Sequence, residues 1–101
     1  MKKEIIYKKT LDFINQIRKS HFQKPLKKIR NGFSQDSFRC PISNSLKECV
    51  PPGFIFVQRY EIRVNQVKYI PPLAVQHFLT LINKQPLNKS LNLKEIFGEI
   101  K

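Results

Sequence analysis

Apolar residues recur at steps of three and four in the first twenty positions of the chain. From Lys3 to about His21 there is no proline or glycine, and the recurring positions are Ile6, Thr10, Phe13, Ile14 and Ile17. This spacing places them on one face of a helix. The charged residues, Arg18 among them, fall mostly on the other faces. We therefore predict an N-terminal amphipathic helix that packs on a core and leaves its charged face free to meet a partner.

An alternation with a period of two replaces the helical pattern between Gly53 and Pro72. Tyr60, Ile62 and Val64 alternate with charged residues, and the segment is rich in Phe, Ile, Val and Tyr. These residue types favour strands. Asn65-Gln66 can turn the strand back into Val67 to Ile70. We predict an antiparallel meander of two or three strands.

Prolines and polar residues delimit three shorter helices. Pro41 suits the first position of a helix, because its missing N–H would be unpaired there anyway, and the apolar spacing after it predicts an element about nine residues long with Cys49 on its buried stripe. The segment from Pro72 to Lys84 is apolar nearly all round, which is typical of a central buried helix. Near the C-terminus, Asn92 and Glu95 fit a capping box. The apolar stripe that follows consists of Leu93, Ile96, Phe97 and Ile100.

These elements predict a single α+β domain, in which a short antiparallel β-meander packs against helices. A chain of 101 residues can bury one modest core. We divide it into a basic N-terminal helix and arm (1–38), a helix-hairpin-helix core (39–85) and a C-terminal helix (86–101). Because the strands are few, we expect helices on one side of the sheet and an open edge on the other.

The charge of the chain predicts a polyanionic partner. There are 19 Lys+Arg against 7 Asp+Glu, a formal net charge of +12, and most of the excess lies in residues 1–30. An AT-rich codon bias explains the many lysines but not the scarcity of acids, since AT-rich codons also favour Glu and Asp. So much self-repulsion destabilises a small fold unless an acidic surface offsets it.

The basic residues are dense between His21 and Phe38, a segment called here the basic arm. Pro25 and Asn31-Gly32 interrupt regular structure, which predicts an extended arm or a short hairpin turning at Asn31-Gly32. Cations on an accessible segment suit contacts with phosphate, and aromatic rings among them can stack on unpaired bases. The aromatic candidates are Phe22, Phe33 and Phe38. The candidate nucleic-acid-binding residues are Lys8, Lys9, Lys24, Lys27, Lys28 and Arg30.

The two cysteines, Cys40 and Cys49, allow four interpretations: a disulfide, metal ligands, a nucleophile or inert thiols. A helix between them would separate their Cα atoms by roughly 13 Å, too far for a disulfide, and neither histidine, His21 or His77, has ligand spacing to them. At a helix N-terminus beside Arg39, Cys40 could have a lowered pKa, but no base or Gly-rich turn accompanies it. We expect inert or helix-capping thiols, with Cys49 as the structural one, and no metal, cofactor or enzymatic activity.

The motif R-C-P-I-S-N-S-L, the hairpin after it and P-P-L-A-V-Q-H-F-L together resemble a pattern in small uncharacterised proteins of phages and mobile elements. In those proteins a Cys-Pro-Ile or Cys-Pro-Val helix start precedes two strands and a proline-led helix. The resemblance covers Arg39 to about Gln85. It implies a mobile-element origin and no established activity, and the basic N-terminal helix and arm depart from it.

The leading hypothesis is a small basic, non-enzymatic protein that binds DNA, RNA or a nucleoprotein complex. Contact with about six phosphates would make log affinity fall with log salt at a slope of roughly −5 on duplex DNA. The alternative is a protein-directed inhibitor or adaptor that acts on a host nucleic-acid-handling or defence complex. The longest apolar runs are about four residues, well short of the roughly 20 that span a bilayer, and no secretory leader is recognisable. We therefore expect a cytoplasmic protein without a membrane partner.

Overall fold

Four helices and one three-stranded sheet form the part of the chain that the computed structural model describes, residues 1–51 and 54–99. This arrangement confirms the predicted α+β class. In chain order, the elements are α1 (Lys3–Ser20), α2 (Pro41–Leu46), β1 (Ile55–Gln58), β2 (Glu61–Val64), β3 (Val67–Tyr69), α3 (Leu73–Ile82) and α4 (Leu93–Phe97).

Helix α1 is built into the centre of the core. The predicted apolar face is buried apart from Phe13, which is half-buried, and the helix packs chiefly against α3. The hydroxyl of Thr10 is fully buried and donates to the carbonyl of Ile6 at 2.7 Å, so its hydrogen-bonding capacity is used inside the helix. Because α1 supplies this much of the core, residues 1–38 and 39–85 form the core together.

The sheet is the predicted antiparallel meander, with strand order β1-β2-β3. One face is buried through alternate residues of β1 and β2, and these join the same hydrophobic cluster as α1 and α3. The β2–β3 turn falls at Asn65-Gln66 as predicted, with Asn65 at a φ of 60°, a conformation that asparagine tolerates better than most residues. Beside β1, the N–H of Val57 donates to the carbonyl of Ser37, whereas β3 forms the other edge of the sheet.

Helix α4 closes the core, as its apolar stripe predicts. The ring of Phe97 stacks on Phe78 with centroids 4.8 Å apart, and it meets Tyr7 edge-on at 5.7 Å. Asn92 caps the helix by accepting a hydrogen bond from the N–H of Lys94. Within the described residues, the Glu95 side chain makes no return bond to Asn92, and the Asn92 side chain accepts from Lys94 and not from Glu95, so Asn92 is a simple N-cap and the predicted capping box does not form. Ile100, the last residue of the stripe, lies outside the described residues.

Helix α2 is shorter than its apolar spacing predicts. It ends at Leu46, and the N–H of Cys49 bonds to the carbonyl of Leu46 at 2.9 Å, an i→i+3 contact of the kind that tightens and ends a helix. Cys49 therefore lies beyond the helix and is only half-buried, while Cys40 is 3% exposed. The prediction that Cys49 is the more structural of the two thiols is wrong for this reason.

The basic arm contains no hairpin at Asn31-Gly32. Instead, Gly32 lies directly against the start of α2: a Cβ there would be 2.6 Å from the carbonyl carbon of Cys40 and 2.7 Å from the nitrogen of Pro41. Only glycine permits such a close approach of two backbones. On its other side, the carbonyl of Gly32 accepts from the N–H of Leu91 at 2.9 Å. This part of the arm is therefore fixed between α2 and the segment before α4.

Candidate nucleic-acid interface

The first half of the basic arm runs antiparallel along one stripe of α1. Residues later in the arm meet residues earlier in the helix, through hydrogen bonds of 2.7 to 3.0 Å. In order along the arm, Lys24 bonds to Arg18, Leu26 exchanges two bonds with Asn15, and Ile29 bonds to Tyr7. The side chain of Ile29, a residue of the arm, is buried. The arm is thus held in one conformation and is not the flexible segment that its composition suggests.

The hydroxyl of Tyr7 is used in a hydrogen bond within the protein. It accepts the hydrogen bond from the N–H of Ile29 at 2.8 Å. Burial raises the pKa of Tyr7, and this effect outweighs the opposing effect of the hydrogen bond from Ile29. The phenol therefore remains neutral at physiological pH.

One carboxylate joins the arm, α1 and the end of α2. Glu48 Oε2 lies 2.6 Å from Arg30 and Oε1 lies 2.7 Å from Arg18. The hydrogen bond from Arg30, followed by the one from Arg18, lowers the pKa of Glu48 to about 2. Arg18 also donates to the carbonyls of Lys24 and Ser45. We call Arg18, Arg30 and Glu48 the arginine clamp.

The arginine clamp corrects the prediction for Arg18 and gives Arg30 partners within the protein. Arg18 was expected on an outward face of α1, but it is 4% exposed, because the arm and the end of α2 supply three acceptors that its long side chain can reach. Arg30 was expected to contact phosphate, but its guanidinium is bound by Glu48 and by the carbonyl of Asn44 at 2.9 Å. Both arginines therefore act in fixing the arm.

The lysines of the arm have a different environment. Lys24, Lys27 and Lys28 are exposed, and within the described chain none of them lies within 4.0 Å of a carboxylate. Lys8 is also exposed. It precedes Asn15 by seven residues, about two helical turns, so it lies on the side of α1 that carries the arm.

Lys9 does not belong with these residues. Adjacent positions of a helix differ by about 100° around the axis, and Lys9 instead lines a surface depression with Asp12 and the start of α3. Lys19, which the sequence reasoning left out of the site, is exposed and follows Asn15 by one turn. The spacing of Lys8, Asn15 and Lys19 places them on one side of α1, but only the bonds between Asn15 and Leu26 show that this side carries the arm. We call the resulting set the lysine face: Lys8, Lys19, Lys24, Lys27 and Lys28.

Phe22 lies at the turn between α1 and the arm in an unusual conformation. The N–H of Gln23 bonds to the carbonyl of Arg18 at 2.9 Å, and that of Phe22 to the carbonyl of Lys19 at 3.0 Å. These two bonds define a Schellman motif, whose left-handed position is normally a glycine. Phe22 occupies it with a φ of 60°, at a cost of about 1 kcal/mol relative to glycine. Its side chain is 97% exposed.

The other two candidate stacking residues are already in contact with side chains of the protein. The guanidinium of Arg39 lies 4.8 Å from the ring centroid of Phe33. The ring of Phe38 packs against Phe56 with centroids 5.6 Å apart. Both rings are therefore less accessible than that of Phe22, with Phe38 at 59% exposure.

Cys40 is the N-cap of α2, with its sulfur accepting from the N–H of Ser43 at 3.4 Å. Burial raises the pKa of this thiol despite the opposing hydrogen bonds from Ser43. Arg39, considered as an activating neighbour, instead pairs with Asp36 at 2.8 Å. The lowered pKa considered for a nucleophilic Cys40 is therefore wrong. Within the described residues, both cysteines are free thiols and no three His, Cys, Asp or Glu side chains are grouped as metal ligands.

A second basic feature lies near the start of α1. Lys3, Lys84 and Lys89 line an open cleft of about 600 Å³, together with Asn92 and Glu95. Lys24 lies shortly after the last residue of α1, so this cleft and the arm's first lysine are near opposite ends of a helix of 18 residues, about 27 Å long. Lys28 is nearer to the cleft, because it lines a depression that shares Asn92 with it.

Comparisons with known proteins return no matching family model, no matching curated protein and no matching solved structure. Among the helices that the structure describes, none has the length and apolar character needed to cross a membrane. The fold and site define a small α+β protein with an ordered, lysine-rich face.

Proposed function

We propose that this protein binds nucleic acid without catalysing a reaction, and that the lysine face contacts the phosphates. The observation that carries the proposal is the contrast between the ion-paired arginines around the basic arm and the exposed lysines of the lysine face. Arg18, Arg30, Arg39 and Arg63 are ion-paired within the protein. Arg59 instead lies over the ring of Tyr60, and the lysines with a carboxylate partner among the described residues are Lys68 and Lys94, both outside the lysine face. The lysine face, in contrast, has no carboxylate within 4.0 Å among the described residues. Its charge is therefore available to an external polyanion.

The ordered arm supports the same proposal. Binding by a disordered segment costs the free energy of ordering it, whereas the hydrogen bonds to α1 and the arginine clamp already fix the arm's backbone. Phosphate contacts by such a surface position a nucleic acid without reading its sequence. The expected activity is therefore binding with little sequence preference.

The salt dependence of binding tests this proposal. Compared with the predicted phosphate-binding residues, the lysine face lacks Arg30 and Lys9 and includes Lys19. It therefore contains five lysines. If each neutralises one phosphate, the slope of log affinity against log salt is roughly −4.5 on duplex DNA and roughly −3.5 on a single strand. Fluorescence anisotropy with labelled DNA and RNA oligonucleotides at 50 to 300 mM NaCl measures both slopes.

A matched pair of variants locates the interface. The first replaces Lys24, Lys27 and Lys28 with glutamine, and the second does the same to Lys3, Lys84 and Lys89, so both lose the same charge. We expect the first to bind much more weakly and to flatten the salt slope by roughly 2 to 3 units. The second should stay close to the wild type. Equal losses of affinity in the two variants would show that net charge, and not the lysine face, determines binding. If the wild type does not bind at 50 mM NaCl, the proposed function is excluded.

A protein-directed inhibitor or adaptor of a host nucleic-acid complex is a second candidate, consistent with an origin in a phage or mobile element. It is favoured by apolar residues exposed at and beside the β3 edge, since exposed apolar surface at a sheet edge is typical of protein contacts. These residues are Val67, Ile70 and Leu73, at 50%, 67% and 59% exposure. A pull-down from host lysate with and without nuclease separates the two candidates, because a direct protein contact survives nuclease.

A further inference from the structure

Phe22 carries an exposed aromatic ring at a position where the fold gives no structural reason for one. Its backbone adopts the left-handed conformation that glycine or asparagine would adopt at lower cost, and its side chain, 97% exposed, contributes almost nothing to the core. Neither backbone conformation nor packing explains a phenylalanine here. A strained residue that the surrounding structure holds in place is the kind of observation from which a functional role is inferred.

The surroundings of Phe22 are rigid. On the helix side, the two hydrogen bonds of the Schellman motif fix its backbone. On the arm side, Arg18 binds the carbonyl of Lys24 at 2.7 Å, and Arg18 is itself held by Ser45 and Glu48. The ring is therefore presented from a turn that is anchored on both sides, so binding through it costs little ordering of the backbone.

The surroundings of Phe22 are also positively charged. Lys19 lies in the last turn of α1 and Lys24 follows two residues after Phe22, and both are exposed. A planar apolar ring between two cations matches a nucleotide of a single strand, which offers a flat base for stacking and phosphates on either side. A base within a duplex is already stacked on its neighbours and does not offer this face.

We propose that Phe22 stacks on an unpaired base, and that the nucleic acid this protein prefers is therefore single-stranded. This inference rests on the proposed function and adds to it the class of nucleic acid and the residue that selects it. Lys19 and Lys24 contact the phosphates that flank the stacked base. Stacking on an aromatic ring is tolerant of sequence because every base has a flat face.

The first test replaces Phe22 with glycine and measures binding to oligo(dT) and to a duplex of equal length by anisotropy at low salt. We expect the affinity for oligo(dT) to fall at least about five-fold, as for other aromatic stacking residues, with the affinity for duplex unchanged within about two-fold. Because glycine is favoured in the left-handed conformation, the urea midpoint of Phe22→Gly should be equal to or above that of the wild type. Lost binding in an undamaged protein cannot come from misfolding.

The second test uses the absence of tryptophan from the chain. In Phe22→Trp the new indole is the only one, so its fluorescence reports on this position alone. We expect this variant to retain binding to oligo(dT), and its emission to be quenched on binding through contact with a base. Phe38→Ala, which removes a partly exposed ring that already packs on Phe56, serves as the control and should keep its affinity for oligo(dT) within about two-fold.

Three results overturn the inference: unchanged oligo(dT) affinity in Phe22→Gly, an equal loss on duplex, or unaltered tryptophan emission at saturating oligo(dT). In each of these cases, salt-dependent binding by the wild type would still leave the proposed function standing. If the wild type binds neither DNA nor RNA at 50 mM NaCl, the proposed function and this inference both fail. The two failures are thus distinguishable.

Discussion

At the scale of single residues, Cys40 and Cys49 differ in how the fold uses them. Cys40 caps α2 at 3% exposure, and Cys49 lies beyond that helix, half-buried at the margin of the core. Burial raises the pKa of both thiols. The thiolate is the reactive form of cysteine, so access to solvent decides which of the two reacts first.

We therefore expect iodoacetamide at pH 8 to modify Cys49 before Cys40 in the native protein, with Cys40 slower on the order of ten-fold or more. Mass spectrometry of peptides from samples quenched over time measures both rates. The variant Cys49→Ser isolates Cys40, and in urea its thiol should react as fast as any exposed cysteine. Rapid modification of Cys40 in the folded protein would reopen the possibility of a nucleophile.

At the scale of elements, the arginine clamp decides where the basic arm lies. Glu48 follows α2, Arg18 belongs to α1 and Arg30 lies in the arm, so one carboxylate connects three segments that are distant in sequence. Removing one partner of such a cluster leaves the other charges poorly compensated. The cost is moderated here, because the Glu48 side chain is 31% exposed and water can replace part of the interaction.

We expect Glu48→Gln to lower the free energy of unfolding at pH 7 by about 1 to 2 kcal/mol, below the range for fully buried pairs. The pKa of Glu48 is lowered from 4.5 to about 2 in the folded protein, so its stabilising contribution is complete above about pH 4.5 and is lost as the pH falls towards 2. Urea unfolding of wild type and variant should therefore differ at pH 7 and converge near pH 2.

Glu95→Gln is the control for this pH series. The Glu95 carboxylate is exposed and makes no ion pair among the described residues, so we expect no difference from the wild type of more than about 0.5 kcal/mol. A gap between wild type and Glu48→Gln that persists unchanged at pH 2 would show that the ionised carboxylate is not its cause.

At the scale of the whole molecule, the excess of positive charge opposes folding. The net charge is +12 on 101 residues, and most of the unpaired charge lies on exposed lysines. Repulsion between exposed charges is screened by salt, with a Debye length of about 10 Å at 0.1 M and about 3 Å at 1 M. The few exposed ion pairs are screened as well, but each contributes little.

We expect the midpoint of thermal unfolding to rise by roughly 5 °C between 20 and 500 mM NaCl, which corresponds to about 1 kcal/mol for a domain of this size. The glutamine variant of Lys24, Lys27 and Lys28 should start from a higher midpoint at 20 mM NaCl and respond less to salt. Differential scanning calorimetry measures both. A midpoint that falls with salt would mean that internal ion pairs, not surface repulsion, dominate the electrostatics.

The periodic segments of the chain could be predicted from the sequence, because their pattern is local. The face of α1, the turn at Asn65-Gln66, the cap at Asn92 and the meander each depend on residues within a few positions of one another. The excess of positive charge is likewise a property of composition. The α+β class and the basic character of the N-terminal region were therefore determined by the sequence alone.

The path of the arm and the membership of the lysine face were decided only by the tertiary structure. In the sequence, Arg18 and Arg30 are basic residues like the lysines around them. No neighbouring residue indicates that the two arginines are ion-paired and the lysines are not. Their partner Glu48 is 30 residues from Arg18 and 18 from Arg30, and the backbone that crowds Gly32 comes from the start of α2. Which cations are paired, which thiol is buried and which ring stays free depend on contacts between distant segments, and these form only when the chain has folded.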